Sequence, residues 1–196
     1  MGEGIRIATV TGSVRPGNFT SKALALVQDE IRNHGDIALD VIDPARMRLP
    51  PPGTDTGSVE VRALRKVISQ ATGIVLATPE YHGSVSSVLK LVIENLGFPS
   101  TLAGKPVVLL GVASGAIGAV KALEHLRSIC AHVGALVLPG AVSVPAVNRV
   151  FDGEGRCLDE EIERRIRGVA TGLIDHIHQA VCPKMAMERM VREGGR

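Results

Sequence analysis

Aromatic side chains are almost missing from this chain: its 196 residues include no Trp, three Phe and a single Tyr, Tyr81. The charges also cancel, with 22 Lys and Arg against 20 Asp and Glu and a formal net charge of +2. A nucleic-acid partner needs a basic footprint and flat rings on which bases stack, so both shortages exclude one. Cysteine is scarce too. Cys130, Cys157 and Cys182 are odd in number, far apart and form no Cys-x-x-Cys pair, so neither a disulfide framework nor a zinc site is signalled. Reduced thiols are expected, with Cys130 in a core. No apolar run reaches the ~20 residues that cross a bilayer. The opening Met-Gly-Glu-Gly-Ile-Arg enters a strand pattern with no secretory leader. A cytoplasmic protein with no membrane partner is expected, where the Asn18-Phe19-Thr20 glycosylation triplet has no chemical meaning.

What is present is 45% hydrophobic and 21% charged, with a mean hydropathy of +0.21. Such a chain buries one sizeable core. We expect one domain over residues 1–182, followed by an amphipathic tail over 183–196 that carries Met185, Met187 and Met190 and frays or packs on a partner subunit. Short apolar runs alternate with longer amphipathic segments, the pattern of repeated βα units and an α/β fold with a parallel sheet. Five strands are predicted, near Ile5 to Thr11, Ile37 to Ile42, Gly73 to Thr78, Pro106 to Gly111 and Ala135 to Pro139. The third and fourth are apolar on both faces, as central strands are. Helices are predicted over 20–33, 59–72, 86–96, 118–133 and 159–181. Pro50 to Ser58 reads as a stiff polar loop bordering the site. With no hairpin signal nearby, five such units in a short chain fit a three-layer sheet of order 2-1-3-4-5 with helices on both faces. Its ligand crevice then opens above the first and third strands.

The loops at those strand ends are the informative ones. After the first strand comes Gly12-Ser-Val-Arg-Pro-Gly-Asn-Phe-Thr-Ser21, where glycines permit a tight turn beside the open amides of a helix start. Ser13, Asn18, Thr20 and Ser21 offer short donors there, and Arg15 a positive fork. The loop is expected to hold a phosphate, the alternative being an ordinary strand-to-helix turn with a Ser or Thr N-cap. The third strand leads into Pro79-Glu80-Tyr81-His82-Gly83-Ser84, against which a flat aromatic ligand could lie. The fourth leads into Gly111-x-x-Ser114-Gly115-x-x-Gly118, a weak motif alone that gains weight because all three loops would converge.

These residues resemble the family of NAD(P)H-dependent flavin mononucleotide reductases of flavodoxin-like fold, which includes quinone, azo-dye and chromate reductases. The resemblance spans about Ile5 to Val144. It rests on Gly12-Ser-x-Arg15, on Pro79-Glu-Tyr-x-Gly-Ser84 followed by Leu89-Lys90, on Gly104-Lys-Pro106, and on the Gly111 to Gly118 loop with His125-Leu126-Arg127 downstream. It implies that Ser13, Arg15, Asn18, Thr20 and Ser21 hold the phosphate of FMN. It also implies that Pro79, Glu80, Tyr81, His82 and Gly83 meet the ring and ribityl groups, with Ser114 and Gly115 alongside. The chain departs from the family pattern at Asn18, Thr20, His82 and Ser86-Ser87. Asn and Thr still supply short donors, while His82 and Ser86 alter the surroundings of the ring.

The resemblance implies an oxidoreductase in which FMN takes hydride from NADPH or NADH and then serves a quinone, free flavin or similar small-molecule electron acceptor in a ping-pong cycle. No side chain is assigned as acid or base. Homodimers or homotetramers are expected, on the family likeness and the apolar excess of Val88, Leu89, Val92, Ile93, Leu96, Leu123, Leu126 and Ile129, for which core packing is the competing explanation. The rival is a flavodoxin-type electron carrier without its own NAD(P)H turnover, disfavoured by the balanced charge. A receiver domain lacks its acidic cluster here. A hydrolase lacks its Gly-x-Ser-x-Gly elbow, and His176 and His178 fall on opposite sides of an exposed helix.

Overall fold

The computed structural model describes residues 4–194; residues 1–3, where the expected domain begins, and 195–196, where the tail ends, lie outside the described residues. The chain runs β1 (Arg6–Thr11), α1 (Phe19–Arg32), β2 (Ala38–Ile42), α2 (Val59–Gln70) and β3 (Gly73–Tyr81), then β4 (Ser84–Val85), α3 (Ser87–Glu94), β5 (Pro106–Val112) and α4 (Val120–His132). It closes with β6 (Leu136–Val137), β7 (Val142–Val144), α5 (Val147–Val150), α6 (Glu160–His176) and α7 (Cys182–Gly194), the last two joined by a π-helical stretch over Ile177–Val181. The spine of the sheet is β2-β1-β3-β5-β6. Every pairing along it is parallel, with Thr9 opposite Val41 and Val75, and Leu76 opposite Leu109. This is the expected 2-1-3-4-5 order, with the expected fourth and fifth strands found as β5 and β6.

Two departures raise the strand count from five to seven. β3 continues to Tyr81 and turns back through β4, an antiparallel hairpin pairing Glu80 with Val85 and Tyr81 with Ser84. His82 and Gly83 are its loop, both at positive φ (51° and 73°), the mirror-image turn that matches strand twist. No hairpin was legible here because His stands where Asn usually does, although His tolerates this region better than most side chains. The expected strand over Ala135 to Pro139 is cut short to β6, which pairs with Pro106 and Val107, and a further strand beyond it, β7, pairs with Leu110 to Val112. Pro139 has no N–H to donate and Gly140 sits at φ 88°, so the edge leaves the ladder and rejoins it.

Helices cover both faces because each carries one apolar stripe. Ala23, Leu24, Val27 and Ile31 of α1 pack with Ile166, Val169, Ala170 and Leu173 of α6 over one face. Leu64 and Ile68 of α2, Leu89, Val92 and Ile93 of α3, and Leu123, Leu126 and Cys130 of α4 cover the other. Each such large side chain contributes about 1.5–3 kcal/mol on burial. Leu89, Val92, Ile93, Leu96, Leu123 and Leu126 are therefore used up in the chain's own core, and their apolar excess does not argue for association. The exposed apolar side chains instead include Phe98 (91%), Ile117 (85%), Val59, Leu158 and the α7 residues Met187, Met190 and Val191. The predicted helix over 159–181 stops as an α-helix at His176; there His176 is half-buried, Ile177 buried and His178 exposed. Among the described residues no helix is long and apolar enough to cross a membrane.

Candidate functional site

The loops after β1, β3 and β5 meet at the carboxyl rim of the sheet around a cleft of about 380 Å³. Its walls are Arg15 to Thr20, Pro79 to Tyr81, and Val112 to Ser114, with Val147 of α5 closing one side. The first wall is shaped by Asn18, the N-cap of α1. Its Oδ1 accepts the Ser21 N–H at 2.8 Å and its Nδ2 donates to the Arg15 carbonyl at 2.7 Å. These two bonds hold the loop's form, and the second Nδ2 hydrogen is left over for a ligand in the cleft. Gly17, at φ 64°, completes the turn. The first amides of α1, at Phe19 and Thr20, have no helical partner, the usual condition at a helix start, and the buried Thr20 lines the cleft beside them.

Two buried contacts clamp this loop to the next. Gly12 donates its N–H to the Ala77 carbonyl at 2.7 Å, and a Cβ on Gly12 would itself lie 2.7 Å from that oxygen. The Gly12 carbonyl accepts from Ser86 Oγ at 2.6 Å, and Ser86 Oγ accepts the Leu89 N–H at 3.1 Å. Ser86 is thus both the cap of α3 and the tie between the first and second loops. Sequence reasoning missed that role; the local signal was a Ser three residues before Leu89 at a helix start. Phe19, Val112 and Val147 were missed as well, since apolar lining has no motif.

Across the cleft the Arg15 guanidinium lies 6.0 Å from the centre of the Tyr81 ring, a cation–π arrangement. The expected residues divide into three groups. Arg15, Asn18, Thr20, Pro79, Glu80, Tyr81 and Ser114 share the cleft. Ser13 and Ser21 line an adjoining basin of about 430 Å³ that shares the Arg15 to Asn18 wall and includes Lys22 and Asp43. There Ser13 Oγ lies 3.5 Å from the Arg15 amide, and Ser21 Oγ is 3.3 Å from Thr11 Oγ1. His82, Gly83 and Gly115 lie outside both. Residues 50–58, expected at the border, line neither basin; the Pro50 carbonyl accepts from Asn95 Nδ2 at 3.0 Å instead. Gly111 serves packing, since a Cβ there would come within 2.7 Å of the Ala119 Cβ.

A larger hollow of about 790 Å³ lies at the opposite rim. Two of its cations are tightly engaged: Arg6 pairs with Asp40 at 2.8 Å, and Lys105 Nζ donates to the Ser69 and Ala71 carbonyls at 2.9 and 2.6 Å, while the third, Lys184, stands 4.0 Å from Glu188. Burial pushes the Lys105 ammonium below its usual range. Gly4 and Gly104 line it where strands start, whereas the smaller cleft, where strands finish, joins a cationic side chain, open helix amides and a ring wall. Those are the donors that a phosphorylated planar cofactor such as FMN requires, so the residues fit it.

Comparison with known proteins agrees. The family model of NADPH-dependent FMN reductases matches residues 5–149. A 2-hydroxy-1,4-benzoquinone reductase from Burkholderia sp. is 33% identical over 68% of this chain and 74% of its own length. The quinone reductase of Escherichia coli K12 is 30% identical over 91% of this chain and 98% of its own. Among solved structures, the flavoenzyme NAD(P)H:(acceptor) oxidoreductase FerB from Paracoccus denitrificans superposes with a TM-score of 0.75 at 21% identity, covering 89% of this chain and 98% of that one, and supports the fold.

Proposed function

The chain belongs to the NADPH-dependent FMN reductase family and is an FMN-using oxidoreductase, and on that footing we propose that it passes electrons from NAD(P)H to a quinone, free flavin or similar small acceptor at the Arg15–Tyr81 cleft. The observation that carries this placement is the meeting of three polar strand-end loops on one cleft. The quinone reductase names of two relatives support the acceptor class. FMN held in the cleft would supply two-electron, hydride-accepting chemistry.

The chain's own residues bind, orient and shape. Arg15 neutralises a phosphate dianion together with the first amides of α1 and the Thr20 hydroxyl. Ser13 and Ser21 support the same end from the adjoining basin. Backbone groups of Pro79 to Tyr81 would meet the polar edge of the ring, with the Tyr81 side chain and Ser114 beside it, and His82, Gly83 and Gly115 would act from outside the cleft by shaping its loops. The two substrates exchange at one mouth, as a ping-pong cycle requires. We read residues 1–182 as one flavin-binding domain with 183–196 appended. Association into a homodimer or homotetramer would bury Phe98 or the α7 methionines, both bare here. A cytoplasmic setting supplies the NAD(P)H.

The test is anaerobic. FMN is added to the purified chain, the visible spectrum is recorded, and NADPH and then a benzoquinone follow. Bleaching by NADPH and recovery on quinone is the expected result. A spectrum that stays yellow means a carrier, and no flavin binding removes the assignment altogether.

A further inference from the structure

Helix α4 begins without a cap of its own, because Ala119 at its N-cap has no acceptor side chain. The acceptor comes from 42 residues away: Glu80 Oε2 takes the Ala122 N–H at 3.0 Å. Two further contacts join the same pair of elements. Ser84 Oγ lies 2.9 Å from His125 Nδ1, and the Lys121 side chain runs 3.5 Å from where a Cβ of Gly83 would stand. Residues 121, 122 and 125, clustered on the first turns of α4, thus grip the β3–β4 hairpin at 80, 83 and 84. The backbone of that hairpin from Pro79 to Tyr81 is the second wall of the cleft.

We propose that Glu80 is a positioning residue whose carboxylate fastens the Pro79–Gly83 turn to α4 and sets the charge beside the cleft, and that it is not a flavin ligand through its side chain. The inference rests on the reading of the cleft as the FMN site. The carboxylate is already engaged with a helix amide, where the partial positive end of the helix dipole favours an anion. It therefore holds the turn in its binding form before any ligand arrives, and preorganisation of this kind raises affinity by lowering the ordering cost. Its negative charge also opposes added electron density on a neighbouring redox ring, one of the means by which a protein tunes a flavin.

Two substitutions separate these effects. Glu80→Gln keeps an oxygen that accepts the Ala122 N–H but removes the charge. Glu80→Ala removes both. With Glu80→Gln we expect FMN affinity within about threefold of the parent and a more positive midpoint potential for the bound flavin. With Glu80→Ala we expect affinity to fall by about tenfold or more. In the flavin-free protein, hydrogen exchange at the Ala122 amide reads the cap directly; it should quicken about tenfold in Glu80→Ala and stay near the parent rate in Glu80→Gln. Parent affinity, parent potential and parent exchange in both variants overturn the inference. An unsubstituted chain that binds no FMN overturns the cleft reading instead, while the Ala122 exchange still reports on the cap.

Discussion

At the scale of single residues, the cleft depends on one residue that binds and one that makes room. Arg15 is exposed, and among the described residues its guanidinium makes no hydrogen bond or ion pair, only the approach to Tyr81. Arg15→Ala should therefore weaken FMN binding by about tenfold or more, the worth of a charge-assisted contact to phosphate. Its melting temperature should move by less than about 2 °C. Flavin titration beside a thermal melt checks both. Gly12 is the opposite case. A Cβ there meets the Ala77 carbonyl, which is backbone in a central strand and cannot step aside. Gly12→Ala should cost about 2–4 kcal/mol in denaturant unfolding and release flavin with it.

At the scale of elements, the hairpin after β3 is the part whose geometry is most demanding. Both loop residues are left-handed, which Gly83 accepts freely and a β-branched side chain does not. Gly83→Val should cost about 1–3 kcal/mol and loosen the second wall of the cleft, visible as faster exchange of the Ser84 and Val85 amides. The sheet order and the three convergent loops were legible in the sequence because each rests on local pattern. The wholly buried run of β5 and the near-unbroken one of β3 announce central strands, and Gly, Pro and short polar residues mark their ends. What stayed hidden depends on partners distant in sequence. Ser86 reaches back 74 residues to Gly12, and Glu80 reaches forward 42 to Ala122. No spacing rule links such pairs, and a Glu in a loop reads as a ligand until the helix it caps is seen. The divided edge of β6 and β7 was hidden for a simpler reason: Pro139 suits the end of a strand as well as an interruption in one.

At the scale of the whole molecule, acid should loosen the side of the fold next to the Ser13 basin first. The Arg156 guanidinium, by its hydrogen bond to the Asp152 side chain, holds that carboxyl below the usual range, with the Arg156 and Glu154 amides adding to it. A depressed folded pKa contributes stability that is complete above the unfolded value of about 3.9 and is lost as pH falls through the folded one. Below about pH 4 the chain should therefore lose stability more steeply than Asp152→Asn does, in urea melts taken at stepped pH. The same loop is moored to α1 by Lys22, whose Nζ donates to the Asp152 carbonyl at 2.8 Å, so its release would open the basin. The cleft occupies the rim where strands finish, while Gly4, Ile5 and the first turns of α7 line the hollow where strands start. Anchoring the chain to an electrode, or fusing it to a second catalyst, at Gly4 would leave the reacting mouth turned toward free solution.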